Sequence, residues 1–138
     1  MKVFIEKPAG LNQIKSDGTT KVMRDYPYPY GYILDTVSGD GENVDCYVIT
    51  RKKLDIGSIV DAEPVGLDEY FEDGMEDHKV LAVLANEPVP IDATVRGKLK
   101  EFAKHFFDHR PEKIQRVGDL LGKEEAEQYI QHCKQQHQ

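Results

Sequence analysis

YPYPYGYILDTVSGDGENVD, residues 26–45, decides how the rest of the chain is read. Its first half is rich in tyrosine and proline. Its end crowds three carboxylates, Asp40, Glu42 and Asp45, into six residues. Gly39 and Gly41 bracket Asp40, and glycine lets the backbone turn sharply and approach a ligand closely. Taken alone, an acidic turn of this kind is ordinary hairpin chemistry, because Asp-Gly is a common turn signal. Three like charges at this spacing repel one another, however. A hard divalent cation, which prefers oxygen ligands, relieves that repulsion.

Length and composition bound what such a loop can serve. The chain of 138 residues fits one domain, 1–138, long enough to bury a core. Hydrophobic residues make up 39% and charged residues 31%, a globular balance. No apolar run approaches the roughly 20 residues of a spanning helix, so no membrane partner is expected. The first six residues lack the charged and apolar segments of a signal peptide. Cys46 and Cys133 stand far apart in no paired motif, which favours a reducing, cytoplasmic setting. A net charge of −7 opposes holding a polyanion by bulk charge, so nucleic acid is not an expected partner. Phosphate chemistry on so acidic a chain calls for metal ions as mediators.

Along the chain, strands are expected over 3–6, 11–15, 19–24, 30–34, 44–50, 57–66 and 78–85. In 44–50, Val44, Cys46 and Val48 share one face, and Asp45 and Tyr47 the other. Pro64 implies an edge or a bulge. DEYFEDGMED, residues 68–77, holds six acidic residues in ten, with Asp73-Gly74 as a hairpin tip. The period then changes. Asp92 can cap a helix whose Val95, Leu99, Phe102 and Phe106 share a face, ended by Pro111. A second helix starts near Lys123 with Ala126, Tyr129, Ile130 and Cys133 on one side, and its tail, 134–138, is expected to fray. The expected fold is mainly β with flanking helices (α+β): a closed or nearly closed sheet with two C-terminal helices packed outside.

A second acidic cluster, Glu72, Asp73, Glu76 and Asp77, precedes Lys79. In an extended segment Asp77 and Lys79 project from one face. A lysine beside carboxylates is commonly a surface ion pair worth ~0–1 kcal/mol. Its functional alternative is a phosphate clamp, with the carboxylates holding metal. Lys15 and Arg24 add cations upstream, and Tyr30 a hydroxyl. Two acidic clusters on separate strands, with Lys, Arg and Tyr nearby, suit polyphosphate chemistry through a metal-activated water. Other candidates are weaker. GDGENVD lacks the glycine of an EF-hand loop, His105 and His109 do not form HExxH, and no GxxxxGK[ST] loop is present. His132, Cys133 and His137 rank low as a soft-metal set.

Five segments resemble, in the right order and over nearly the full length, the soluble inorganic pyrophosphatases of family I. They are IEKPAG (5–10), YPYPYGY (26–32), SGDGENVDCYV (38–48), PVGLDEYFEDGMEDHKVLAV (64–83) and KEFAKHFFDH (100–109). The resemblance implies an OB-like closed β-barrel that hydrolyses pyrophosphate with several Mg²⁺ ions, Mn²⁺ being an alternative, and a homo-oligomer. By position, Asp40, Asp45 and Asp77 match metal-binding aspartates, and Glu72 stands at a further ligand position. Glu42 stands where the family has the Asp that helps deprotonate the attacking water. Lys15, Arg24, Tyr30 and Lys79 match phosphate-binding residues, while Glu6 and Asp17 fall at outer carboxylate positions. A Tyr-Lys pair of the family is Arg110-Pro111 here, with Arg110 still able to supply charge to phosphate. Each Glu-for-Asp replacement moves a carboxylate by about 1.5 Å, and a shift of about 1 Å can cost ~100-fold in rate. The competing expectation is therefore a catalytically degenerate metal–phosphate-binding or scaffold module of the same fold.

Overall fold

Alternation of apolar and polar residues sets the strands, and the computed structural model describes residues 1–16, 18, 21–39, 41–87, 89–104 and 115–137. In chain order these form β1 (Lys2–Lys7), β2 (Gly10–Ser16), β3 (Lys21–Tyr26), β4 (Tyr30–Ile33) and β5 (Val44–Val48). There follow β6 (Ile59–Glu72), β7 (Met75–Glu76), β8 (Lys79–Leu84), helix α1 (Ala93–Lys104), β9 (Gln115–Leu121) and helix α2 (Lys123–His137). Five strands, in the order β1-β4-β5-β8-β6, close on themselves because β6 also pairs with β1. This is the OB-like closed sheet expected from the sequence. All ring pairings are antiparallel except β5 with β8, which is parallel. The β2–β3 hairpin forms a separate two-stranded sheet.

Two apolar clusters follow from the two faces of the strands. Val3, Ile5, Ile33, Val44, Cys46, Val48, Ala62 and Val80 fill the ring, where α2 adds Ala126, Tyr129, Ile130 and Cys133. On the other face, Tyr26, Tyr28, Tyr30, Tyr47, Leu81 and Val83 pack with Val95 and Leu99 of α1. The two helices thus cover different faces. Cys46 and Cys133 are both buried free thiols. Asp92 caps α1, its Oδ1 accepting the Val95 amide at 3.0 Å. No helix among the described residues is long and apolar enough to cross a membrane.

Pro64 marks a bulge rather than an edge. The register shifts between Pro64 and Gly66, and β6 has neighbours on both sides. The strand expected over 57–66 continues to Glu72, because Leu67 and Tyr70 bury and β8, β9 and β7 pair along it. Asp73 and Gly74 form the tip, with φ of 51° and 81°, the left-handed pair that a tight hairpin turn needs. Strand β9 had no sequence expectation; it exists through pairing with β6. Helix α2 runs through His137, where fraying was expected, since Lys and Gln are good helix formers. His105, Phe106, His109 and Pro111 lie outside the described residues.

Gly31 in the central tyrosine stretch is required sterically. A Cβ there would lie 1.7 Å from the Phe4 carbonyl oxygen, a backbone atom of the neighbouring strand. Gly31→Ala must therefore pry β1 from β4, and should cost at least ~2 kcal/mol by urea unfolding. A loss within ~0.5 kcal/mol would show that the β1–β4 seam is not packed in this way.

Candidate active site

Register places the chemistry in one row across the sheet. Tyr32 pairs with Asp45, Asp45 with Lys79, and Lys79 with Asp68. Residues in register present their side chains to the same face, so Lys79 stands between carboxylates on both adjacent strands. Its Nζ donates to Asp45 Oδ2 at 2.7 Å and to Asp77 Oδ2 at 3.2 Å. Lys79 is only 1% exposed, and the rings of Tyr70 and Tyr30 flank the ammonium at 4.9 and 5.8 Å. Burial works against the charged form, but Asp45 and Asp77 outweigh it, so the ammonium is held more firmly than in water.

The surrounding groups divide into acids and neutral donors. Burial first, then Asp45 and Asp77, push the Tyr30 phenol well above its ordinary pKa, and it hydrogen-bonds with Asp45. Burial, then Asp45, raises the Glu6 carboxyl as well, and Glu42 adds to the effect. Glu6 therefore sits in the repulsive field of Asp45 and Glu42. Asp68 is buried, and burial pushes its pKa up to about 7 against the pull of Lys79 and Lys100. Its Oδ2 has no hydrogen-bond partner. Arg24 Nη1 donates to the Tyr26 hydroxyl at 3.3 Å; burial pushes the Tyr70 phenol up, and the Arg24 charge offsets a small part of that.

Sequence reasoning missed His78. Its Nδ1 accepts the Tyr70 amide at 3.1 Å, while the Asp77 amide donates to the Tyr70 carbonyl at 2.9 Å. The ring proton then belongs to Nε2, which faces Glu76 at 3.9 Å. Burial lowers the pKa of this imidazole, wedged between Phe71 and Tyr129. His78 thus replaces a missing rung of the β6–β8 ladder and fixes the turn from which Asp77 and Lys79 project. No local pattern signals this, because the donor is a backbone amide on another strand.

Of the residues singled out from sequence, Asp45, Asp77, Tyr30 and Lys79 come together; Glu42 is near enough for its charge to act on Glu6 beside them, and Arg24 for its charge to act on Tyr70. Glu72 lies two residues beyond Tyr70 on β6, sharing its face and half-buried. Asp40, Asp17, Arg110 and the Lys15 side chain lie outside the described residues. Among the described residues no three His, Cys, Asp or Glu side chains stand in metal-ligand geometry; the aspartates close on the ammonium instead. An all-oxygen set of carboxylates gathered around one centre fits a hard divalent cation. A cleft of about 840 Å³ lies between the β2–β3 hairpin and α1. It is lined by Ile14, Val22, Arg24, Tyr26 and Phe102, and meets the surroundings of the acidic cluster at Arg24 and Tyr26.

Comparison with known proteins gives a consistent picture. The family model described as inorganic pyrophosphatase matches residues 2–138. An inorganic pyrophosphatase of Nanoarchaeum equitans is 36% identical, over 96% of this chain and 94% of the relative. One from Geobacillus stearothermophilus is 31% identical over 96% of this chain and 91% of its own. Among solved structures, an inorganic pyrophosphatase from Coxiella burnetii superposes with a TM-score of 0.82 at 23% identity, covering 99% of this chain and 94% of that one. The Thermus thermophilus structure gives 0.77 at 23% identity, covering 99% and 90%. At that identity the superpositions speak to the fold, which they share.

The raised pKa of Asp68 has a stability consequence. Folded Asp68 holds its proton to about pH 7, whereas unfolded Asp lets go near its ordinary 3.8. The native state therefore binds more protons in this window, and its stability falls as pH rises from about 4 to 7. Asp68→Asn removes that slope. Relative to wild type, the metal-free variant should gain about 2–4 kcal/mol between pH 4 and pH 8, read by urea unfolding at several pH values. Parallel curves for the two proteins would show that Asp68 titrates normally.

Proposed function

The chain belongs to the inorganic pyrophosphatase family, and we propose that it hydrolyses pyrophosphate to two phosphates with Mg²⁺ as its metal. The observation that carries this reading is the Asp45–Lys79–Asp77 bridge, which joins acidic segments far apart in the chain into one charged centre. Asp45 and Asp77, with Asp40 and Glu72, are assigned to metal binding; Mn²⁺ offers similar chemistry. Metal held by these carboxylates would offset phosphate charge and lower the pKa of a water molecule. Glu42 takes the proton of the attacking water. Lys79, Tyr30 and Arg24, with Lys15 and Arg110, bind the phosphate oxygens and offset the charge that develops on the leaving group. One P–O bond forms to the water oxygen, the bridging P–O bond breaks, and its electron pair leaves with the second phosphate. Buried phenols such as Tyr30 remain protonated at neutral pH and so act as donors to the substrate. A cytoplasmic homo-oligomer of a single domain, 1–138, completes the proposal.

Phosphate release from pyrophosphate, measured with and without Mg²⁺, is the deciding assay. A metal-dependent rate far above buffer is expected; tight Mg²⁺–pyrophosphate binding without turnover would instead assign a binding module. Glu42→Gln should lower kcat by about 100-fold or more, within the range of a lost general base, while calorimetry finds metal binding largely intact. A Glu42→Gln chain as fast as wild type would remove Glu42 from the chemistry.

A further inference from the structure

We propose that Asp68 is a positioning residue that receives the Lys79 ammonium when divalent metal enters, and thereby sets the affinity of the carboxylates for metal. The inference rests on the reading of Asp45 and Asp77 as metal ligands. One oxygen of each is engaged by Lys79 Nζ. A divalent ion that needs those oxygens must displace the ammonium. The side chain is 1% exposed, so water does not readily replace the lost acceptors. A buried charge stripped of its partner is strongly destabilising. That cost is charged against metal binding unless a second anion is within reach.

Asp68 meets the requirement above about pH 7, where its carboxyl is ionised. It pairs in register with Lys79, on the side opposite Asp45, so the Lys79 stem lies between the two carboxylates. Cβ atoms of such antiparallel partners are ~5 Å apart, and a lysine stem is flexible enough to swing across. Asp68 is 3% exposed, and its Oδ2 accepts no hydrogen bond. Among the described residues, the other groups placed against Lys79 or Asp68 are weaker candidates for the role. The Tyr70 and Tyr30 rings offer only a quadrupole to the ammonium, and Lys100, which also acts on Asp68, is exposed on α1. As an ordinary core residue Asp68 would be a liability, since a buried carboxyl oxygen without a partner costs stability. Beside a lysine whose two acceptors are wanted by metal, the unused oxygen has a purpose.

The test is calorimetric titration, at pH 8, of Mg²⁺ and of Mn²⁺ into substrate-free protein. Wild type, Asp68→Asn and Asp68→Leu are compared, each also in a Lys79→Met background, with folding of every chain checked by thermal melting. Both Asp68 variants should bind metal about 10-fold more weakly than wild type, the scale of a lost outer partner at a metal centre. In the Lys79→Met background the Asp68 substitutions should make no further difference, because no ammonium needs a new acceptor. Unchanged affinity in either single variant overturns the proposal. So does an equal loss with Lys79 absent, which would mean that Asp68 attracts the metal directly. Failure of wild type itself to bind metal would overturn the assignment of Asp45 and Asp77 instead.

Discussion

A buried ammonium shared by two aspartates is the constraint on which the rest of this molecule depends. Lys79 reaches Asp45 across the parallel β5–β8 pair, 34 residues back in sequence, and Asp77 from its own segment. Removing one member of such a group leaves a charge buried without compensation, which typically costs about 3–5 kcal/mol. The geometry is therefore specified as strongly as any apolar contact. The parallel pairing matters because it sets Asp45 and Lys79 side by side in an otherwise antiparallel ring.

The same alternation builds the core and the site. Val44, Cys46 and Val48 enter the ring, while Asp45 and Tyr47 point to the face covered by α1 and the tyrosines. Stacked and tilted aromatic contacts run from Tyr26 through Tyr30 to Tyr47, with Phe102 of α1 against both ends. This wall excludes water from one side of Lys79. Exclusion of water strengthens the ion pairs and keeps the phenols neutral. An aromatic stretch that reads in sequence as packing thus also conditions the charges beside it.

Much of this was legible because strand alternation is a local signal. The strands from 3, 44 and 78 onward were read close to their observed extents, as was the common face of Asp77 and Lys79. The acidic run after Leu67 was harder. It reads as a solvated hairpin, yet Asp68 within it is buried, because β8 and β9 both pair along that part of β6. Burial of a charged residue is decided by neighbours in space, which composition does not encode. The same holds for His78, whose partner is a main-chain amide of β6, and for β9, a polar segment drawn into the sheet by its neighbour.

Lys79 has a double relation to the carboxylates. It stands in for a cation, neutralising aspartates that would otherwise repel each other and strain the β5–β8 seam. The oxygens it neutralises are also the hard ligands that a divalent ion requires. Ammonium and metal therefore compete for the same atoms, and the stability of the metal-free fold and its affinity for metal are linked through one side chain. A centre arranged like this gains from keeping its lysine buried, because an exposed ammonium would exchange its aspartates for water at little cost and hold the metal-free geometry only loosely.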